Sequence, residues 1–428
     1  MAAERWVLHI DMNAFYAACH QAEDPTLASK ALLVAGNPEK RKGIVLTASY
    51  EARRYGVKTA MANWEAKRLC PHATFISPDY KLYNRKSNEM IDILRDYTPV
   101  VEVFSIDEAW MDVTGSRGLF GTPEDIARQL KARIGAEVGI TCSVGIAPNK
   151  LLAKMASEME KPDGLTVLTR EDLPERLWHL EVRELFGVGR KTAARLNDIG
   201  IVTIGDLAQA PEALLASHLG KMGPQIGLWA QGIDDSPVTP NPEPENRSVG
   251  HSVTLSRDII ALDEMAPIIL SLSDQVGRRL RKAGYRGRTV TVSFRDTAFN
   301  NATRSLTLEN PTDLTEDIYQ TALTIIKTRW KMGNPVRLLG VTVSNIEEGE
   351  VWYQGSLFAD EDIRRERLSR LTSVTDSIRD RFGERAVVKA RLVGDDEGKA
   401  PRPGWPKPEP LSDPPEEDDP TQKQRDDD

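Results

Sequence analysis

Three carboxylates stand where an apolar sheet would open. Asp11 closes the run Arg5-Trp-Val-Leu-His-Ile-Asp11, and Asp107 and Glu108 sit between two β-rich runs, 100–105 and 109–114, that read as a hairpin. An Asp in a turn is ordinary by itself, because its side chain satisfies the turn's own hydrogen bonds. If the strand ending at Asp11 pairs beside the hairpin, the acids converge. Carboxylates that close repel one another unless cations intervene. Oxygen-only donors suit Mg²⁺, and two such ions serve phosphoryl transfer: one activates the attacking oxygen, the other holds a triphosphate and its leaving pyrophosphate.

Bases occur at suitable places. In Thr47-Ala-Ser-Tyr50-Glu-Ala-Arg53, Tyr50 and Arg53 share a face if the segment is helical. Lys150 and Lys154 open a later helix, and Lys161-Pro-Asp-Gly164 follows it. Lysines beside a metal-bound triphosphate would neutralise charge developing on its oxygens; each base taken singly is more often a surface base. Phe15-Tyr16 follows Asp11 closely and has two readings, core packing or a wall against a nucleotide sugar. Leu185-Phe-Gly187-Val-Gly189-Arg190-Lys191 resembles a helix-hairpin-helix turn, in which backbone N–H groups approach a phosphate without reading sequence.

The elements that must position these groups follow from periodicity. Strands are expected at 5–11, 140–146 and 164–168, with helices from about Ala14 and at 84–97, 123–137 and 149–160. Residues 44–80 read as short helices broken by Tyr and Pro, and 170–235 as short-looped helices. A Pro-spaced linker, 237–246, precedes strand 249–256, helix 262–283, strands 288–295 and 303–308, helix 315–331 and strand 336–346. That order is β-α-β-β-α-β, an independent small domain. A charged helix, 361–382, ends at Gly383.

The 428 residues allow two to four domains; 40% are hydrophobic and 28% charged, as in an ordinary globular protein. No run approaches the roughly 18 apolar residues of a membrane span, and the first residues lack the basic-then-apolar pattern of a secretory leader. The three cysteines, Cys19, Cys70 and Cys142, have no metal-like spacing and read as reduced thiols of a cytosolic protein. The net charge of −8 is misleading taken whole. Residues 395–428, with eight prolines, carry −7 of it and read as a disordered acidic tail, whereas 246–347 carry +4. In that stretch Arg278, Arg279, Arg281, Lys282, Arg286 and Arg288 cluster, either as a phosphate-binding patch or as a solvated helix face.

Taken together, these motifs resemble the Y-family translesion DNA polymerases, bacterial DNA polymerase IV branch, over roughly residues 5–390. The resemblance rests on His9-Ile-Asp11-Met-Asn-Ala-Phe15-Tyr16-Ala, Thr47-Ala-Ser-Tyr50-Glu-Ala-Arg53, Ser105-Ile-Asp107-Glu108-Ala, Ser143 through Lys154, Lys161-Pro-Asp-Gly164 and the hairpin at Gly187. It implies an α+β multidomain right hand. The palm would be 1–19 and 80–168, the fingers 20–79, the helical thumb 169–236 and the little finger 247–347, followed by a clamp motif and C-terminal helix at 348–394. It implies Asp11, Asp107 and Glu108 as catalytic acids, with the Met12 carbonyl as a further metal ligand, for two Mg²⁺ with Mn²⁺ as substitute. Tyr16 would be the steric gate against a 2′-hydroxyl, and Phe15, Thr47, Tyr50, Arg53 and Lys161 the nucleotide contacts. Gly187, Gly189, Arg190, Lys191, Arg247, Arg286 and Arg288 would hold DNA. Asn13 replaces an Asp common in relatives, and Cys19-His20 a usual Val-Glu.

Gln354-Gly-Ser-Leu357-Phe358 resembles the peptide by which bacterial polymerases dock on the sliding clamp, with Leu357 and Phe358 filling an apolar pocket. The function implied is template-directed, low-fidelity translesion synthesis from dNTPs on primer–template DNA, without proofreading, by a cytoplasmic monomer. Two rivals are weighed. A non-catalytic clamp-recruited scaffold is opposed by the intact acids. A nucleotidyl cyclase is opposed by the hairpin and the small β-α-β-β-α-β domain.

Overall fold

The structure is a computed structural model that describes residues 5–36, 43–240, 248–330, 334–349 and 359–392. The chain divides into two compact units, Met1–Glu243 and Pro244–Asp428. In chain order the first carries β1 (Val7–Met12), α1 (Phe15–Glu23), β2 (Leu32–Ala35), β3 (Val45–Ala48), α2 (Tyr50–Arg53), α3 (Asn63–Leu69), β4 (Thr74–Ile76), α4 (Tyr80–Arg95), β5 (Val101–Val103), β6 (Glu108–Asp112), α5 (Arg117–Phe120), α6 (Pro123–Arg133), β7 (Cys142–Ala147), α7 (Lys150–Met159) and β8 (Leu165–Val167). Then come α8 (Leu173–Arg176), α9 (Arg190–Asn197), α10 (Ile204–Gln209), α11 (Glu212–Leu219) and α12 (Met222–Ala230).

The main sheet runs β5-β6-β1-β7-β8, with β1 antiparallel to both neighbours. Side chains alternate across a strand, so Leu8, Ile10 and Met12 share one face and Val7, His9 and Asp11 the other. Leu8, Ile10 and Met12 pack with Tyr83, Met90 and Leu94 of α4 and Ile126 and Leu130 of α6. Val7 packs with Leu152, Ala153 and Ala156 of α7 and with Leu185 and Leu196 further on. Both faces are covered, which is why β1 reads as an almost unbroken apolar run. At Gly145 of β7 any Cβ would overlap the Ala153 carbonyl, so the missing side chain lets α7 lie close on the sheet.

Caps explain where helices start. Asp79 accepts from the Lys81 and Leu82 amides, so α4 begins at Tyr80 rather than at the expected 84. Asn149 accepts from the Leu152 amide and opens α7. The helix expected over 123–137 is α6 to Arg133, continued by a π turn at Ile134–Val138. Residues 44–80 depart from expectation: besides short helices they supply β3 and β4, which join β2 in a small sheet of order β3-β2-β4.

The second unit carries β9 (Val249–Ile259), α13 (Leu262–Lys282), β10 (Tyr285–Asp296), β11 (Asn301–Thr312), α14 (Thr315–Arg329), β12 (Val336–Glu348) and α15 (Ala359–Phe382). Its antiparallel sheet runs β11-β10-β12-β9, and the β-α-β-β-α-β order is as expected, with longer strands. Val290, Val292 and Phe294 bury one sheet face against Ile269 and Val276 of α13 and Ile318 and Ile325 of α14.

The basic cluster is largely spent within this unit. Arg278 pairs with Asp380 (2.8 Å) and Glu384, Arg281 with Asp376 (2.7 Å) and Lys282 with Asp380 (3.3 Å). Arg286 pairs with Asp313 (3.3 Å) and Arg288 with Glu347 (2.7 Å). Neither a free phosphate patch nor a solvated helix face describes Arg278 and Arg281, which are buried or nearly so. They join α13 to the acidic side of α15, and Arg379 of α15 returns the pairing to Asp274 (2.9 Å). Sequence reading missed this because the partner acids lie about a hundred residues away.

Candidate active site

Pairing of β1 with β6 sets Asp11 opposite Glu108, and the Met12 amide donates to the Asp107 carbonyl (3.0 Å). The three acids therefore reach one end of the sheet. They line a cleft of about 390 Å³ that Met12, Phe15, Tyr16, Thr47, Tyr50, Arg53 and Lys161 also line. The three acids and the nucleotide contacts that the resemblance implies thus meet in one place, whereas Lys150 and Lys154 do not line it. Thr59, Ile106 and Glu158, which sequence reasoning passed over, line it too.

The acids sit in unequal surroundings. Lys161 Nζ lies 2.8 Å from an Asp11 oxygen and 2.8 Å from Glu158. Burial pushes the Asp11 carboxyl up to about 6, against the pull of Lys161. Burial also raises Asp107, although Ser105 Oγ donates to it at 2.5 Å. For Glu108 burial acts the same way, but His9 and Lys154 prevail and hold it down to about 2. His9 is fully buried, and burial together with the Lys154 charge lowers it to about 4, so it is neutral near pH 7. Nitrogen and oxygen donors of His9, Asp11 and Glu108 lie within 4.8 Å of one another.

The cleft walls are built from aromatic and polar contacts. The Tyr16 ring stacks on Tyr83 at 4.2 Å and meets Tyr80 edge-on at 6.2 Å. His20 Nε2 lies 2.9 Å from the Tyr83 hydroxyl, which gives the unusual His20 a role in fixing the ring behind Tyr16. Phe15 is 3% exposed and belongs to the core as well as to the cleft floor. Ser49 caps α2, so Tyr50 and Arg53 share a face as expected, with the guanidinium 4.7 Å above the Tyr50 ring. Arg53 Nε donates to the Ala48 carbonyl (3.0 Å), which aims the rest of its fork.

Other expected residues lie elsewhere. Lys150 pairs with Glu102 at 2.7 Å rather than entering the cleft. Asn13 is buried and tied to Thr141 and Ser143, so it joins β1 to β7. Gly187 has φ +88°, and Gly189 caps α9, whose first residues Arg190 and Lys191 are exposed. Arg247, Gln354, Leu357 and Phe358 lie outside the described residues.

The donor set fits a divalent cation. Its ligands are hard oxygens, two of the acids are driven toward protonation by burial, and lysine ammonium groups already occupy the positions where positive charge is demanded.

Comparison with known proteins agrees. Residues 10–158 match the impB/mucB/samB family, 170–201 the helix-hairpin-helix motif of that family and 246–357 its C-terminal domain. The chain is 47% identical to DNA polymerase IV of Moorella thermoacetica, over 90% of this chain and 95% of that one. It is 41% identical to DNA polymerase IV 1 of Bacillus subtilis, over 92% and 95%. A solved chimeric Y-family DNA polymerase superposes with a TM-score of 0.70 at 26% identity, covering 80% of this chain and 100% of that one. A cleft of buried acids and lysines on an α+β frame, with relatives of this closeness over nine-tenths of its length, places the chain in the impB/mucB/samB family, among the Y-family DNA polymerases of the polymerase IV branch.

Proposed function

We propose that the chain extends a DNA primer along a template, joining the primer 3′-oxygen to the α-phosphate of a dNTP with release of pyrophosphate. The observation that carries this is the Asp11–Glu108 register, which sets three acids opposite Thr47, Tyr50, Arg53 and Lys161 across one cleft. Asp11, Asp107, Glu108 and the Met12 carbonyl would hold two Mg²⁺, or Mn²⁺ in their place. Bound there, the ions would lower the barrier by stabilising charge on the attacking and leaving oxygens.

The rest is the work of side chains. Arg53 and Lys161 bind the triphosphate and offset its charge, with Thr47 and Tyr50 as hydrogen-bonding partners. Lys161 exchanges its contact with Asp11 for a phosphate when the nucleotide enters. Tyr16, braced by Tyr83, leaves no space for a 2′-hydroxyl, and Phe15 supports it from the core. Gly187, Gly189, Arg190 and Lys191 hold the DNA backbone, and Arg247 contributes a further phosphate contact. Arg286 and Arg288 join them only by giving up Asp313 and Glu347. Gln354, Leu357 and Phe358 dock on the sliding clamp, which raises the effective concentration of the enzyme at primer ends. We place this activity in the cytoplasm, in a monomer; no helix among the described residues is long and apolar enough to cross a membrane.

Primer extension on an undamaged template, with Mg²⁺ and single dNTPs, tests the reading. The complementary dNTP is expected to be added, and Asp107→Ala is expected to lose about a hundredfold or more of the rate. Undiminished extension by Asp107→Ala would remove the catalytic assignment.

A further inference from the structure

We propose that His9 is a positioning residue for Glu108: its ring pins one carboxylate oxygen so that the other is presented to the cleft. The inference rests on Asp11, Asp107 and Glu108 being cation ligands. His9 precedes Asp11 by two on β1, so both project from the same sheet face, the one that α7 covers. The ring is fully buried. Nδ1 lies 2.8 Å from Ser157 Oγ of α7, and Nε2 lies 3.2 Å from Oε2 of Glu108. Nε2 has no fully aligned hydrogen-bond partner, and the Glu108 oxygen is the group within its reach.

The two Glu108 oxygens are treated differently. Oε2 receives the Lys154 ammonium as well as His9. Oε1 has a 3.4 Å contact from Ser105, whose hydroxyl sits closer to Asp107 at 2.5 Å. The Lys154 ammonium, buried over the Phe104 and Phe186 rings, meets Oε2 from α7, and the rigid His9 ring meets the same oxygen from a fixed place on β1.

The proton count agrees. The Ser157 hydroxyl has one proton and two acceptors in reach, His9 Nδ1 and the Lys154 carbonyl (2.8 Å). If the carbonyl takes it, Nδ1–H must donate to Ser157, and a bare Nε2 then faces a carboxylate with no proton between them. If Nδ1 takes it, Nε2–H donates to Glu108, and the Lys154 carbonyl keeps its place in the helical ladder of α7. The second arrangement turns the Nε2 proton toward the Glu108 oxygen 3.2 Å away, so Ser157 sets the tautomer and His9 sets the carboxylate.

The test is Mn²⁺ binding to the full chain with primer–template DNA, followed by electron paramagnetic resonance, beside the Mg²⁺ concentration that half-saturates extension. Groups that orient metal ligands typically change affinity 10–100-fold. His9→Leu is expected to weaken Mn²⁺ by about tenfold or more and to raise half-saturating Mg²⁺ in step, with a smaller fall in kcat at saturating metal. His9→Gln, which keeps an N–H near the Nε2 position, is expected to restore most of the affinity. Ser157→Ala is expected to weaken it in the same direction. Wild-type affinity in His9→Leu overturns the proposal, as does nitrogen coupling to bound Mn²⁺ that disappears in His9→Gln, since His9 would then be a ligand itself. If His9→Leu fails to fold, the other two variants decide: unchanged Mn²⁺ affinity in Ser157→Ala, or no recovery in a folded His9→Gln, overturns it. Asp107→Ala separates the two levels, because Mn²⁺ binding that survives there removes the cation reading and not the His9 contact.

Discussion

Asp11 is a buried acid whose carboxyl is pushed up to about 6 by desolvation, and its proton competes directly with a cation. Below that value Asp11 is protonated, so divalent-ion affinity is expected to fall about tenfold per pH unit on the acid side and to level off above it. Mn²⁺ titrations across that range check this, and a flat profile would show Asp11 ionised throughout. The stability sign is opposite. A raised carboxyl favours the folded state when protonated, so the cation-free fold loses this contribution as pH rises from 3.8 through about 6. Tyr16 makes a steric claim: Tyr16→Ala is expected to raise ribonucleotide incorporation relative to dNTP by about tenfold or more, and unchanged discrimination in single-turnover extension would remove the gate. At this scale the acids were legible because residue type and strand-end position coincide. His9 was not, since inside an apolar run it reads as core; the available signal was its two-residue spacing from Asp11. Tyr83 was hidden for a different reason, because only the meeting of α4 with α1 sets it under Tyr16.

Long elements were legible, and so were the three-residue β5 and β8, which lie in apolar runs beside recognisable turns. The helices and the long strands of the second unit carry enough residues for a period to show, whereas β2, β3 and β4 have three or four residues each, β2 pairing antiparallel with β3 and parallel with the more distant β4. The hairpin before α9 shows what a glycine does at this scale. Gly187 has φ +88°, and a Cβ there would come within 2.6 Å of the Trp229 ring of α12. Gly200, at the other end of α9, has φ +84° and no described atom within 4 Å of such a Cβ. Gly200→Ala is therefore expected to cost only backbone strain, about 1–2 kcal/mol. Gly187→Ala adds the clash that locks the hairpin onto α12, about 1–3 kcal/mol more. Urea unfolding followed by circular dichroism compares the two variants, and equal losses would remove the Trp229 contact as the reason for a glycine.

A chain of net charge −8 that binds DNA needs its positive charge in the right place rather than in excess. In the densest run of bases, on α13, Arg278 and Arg281 face acids of α15 instead of solvent. Lys282 pairs with Asp380 while exposed, and Arg279 is exposed and donates to the Gly250 carbonyl, so most of the run's charge is already paired. Long-range acids such as Asp376 and Asp380 could not be matched to it from sequence, because pairing depended on where α15 lies in the second unit. Arg190 and Lys191 are different: both are exposed at the start of α9, where backbone N–H groups point outward from the helix end. Each phosphate contact contributes about 0.9 to the slope of log affinity against log salt. Replacing Arg190 and Lys191 together by Ala is thus expected to lower that slope by about two, measured by fluorescence anisotropy on primer–template DNA. Arg281→Gln is expected to leave the slope as it is and to lower the melting temperature instead, since it strands Asp376 beside α13. A slope unmoved by the α9 pair but reduced by Arg281→Gln would mean that α15 yields its acids when DNA arrives, and that the basic run of α13 then serves the phosphates.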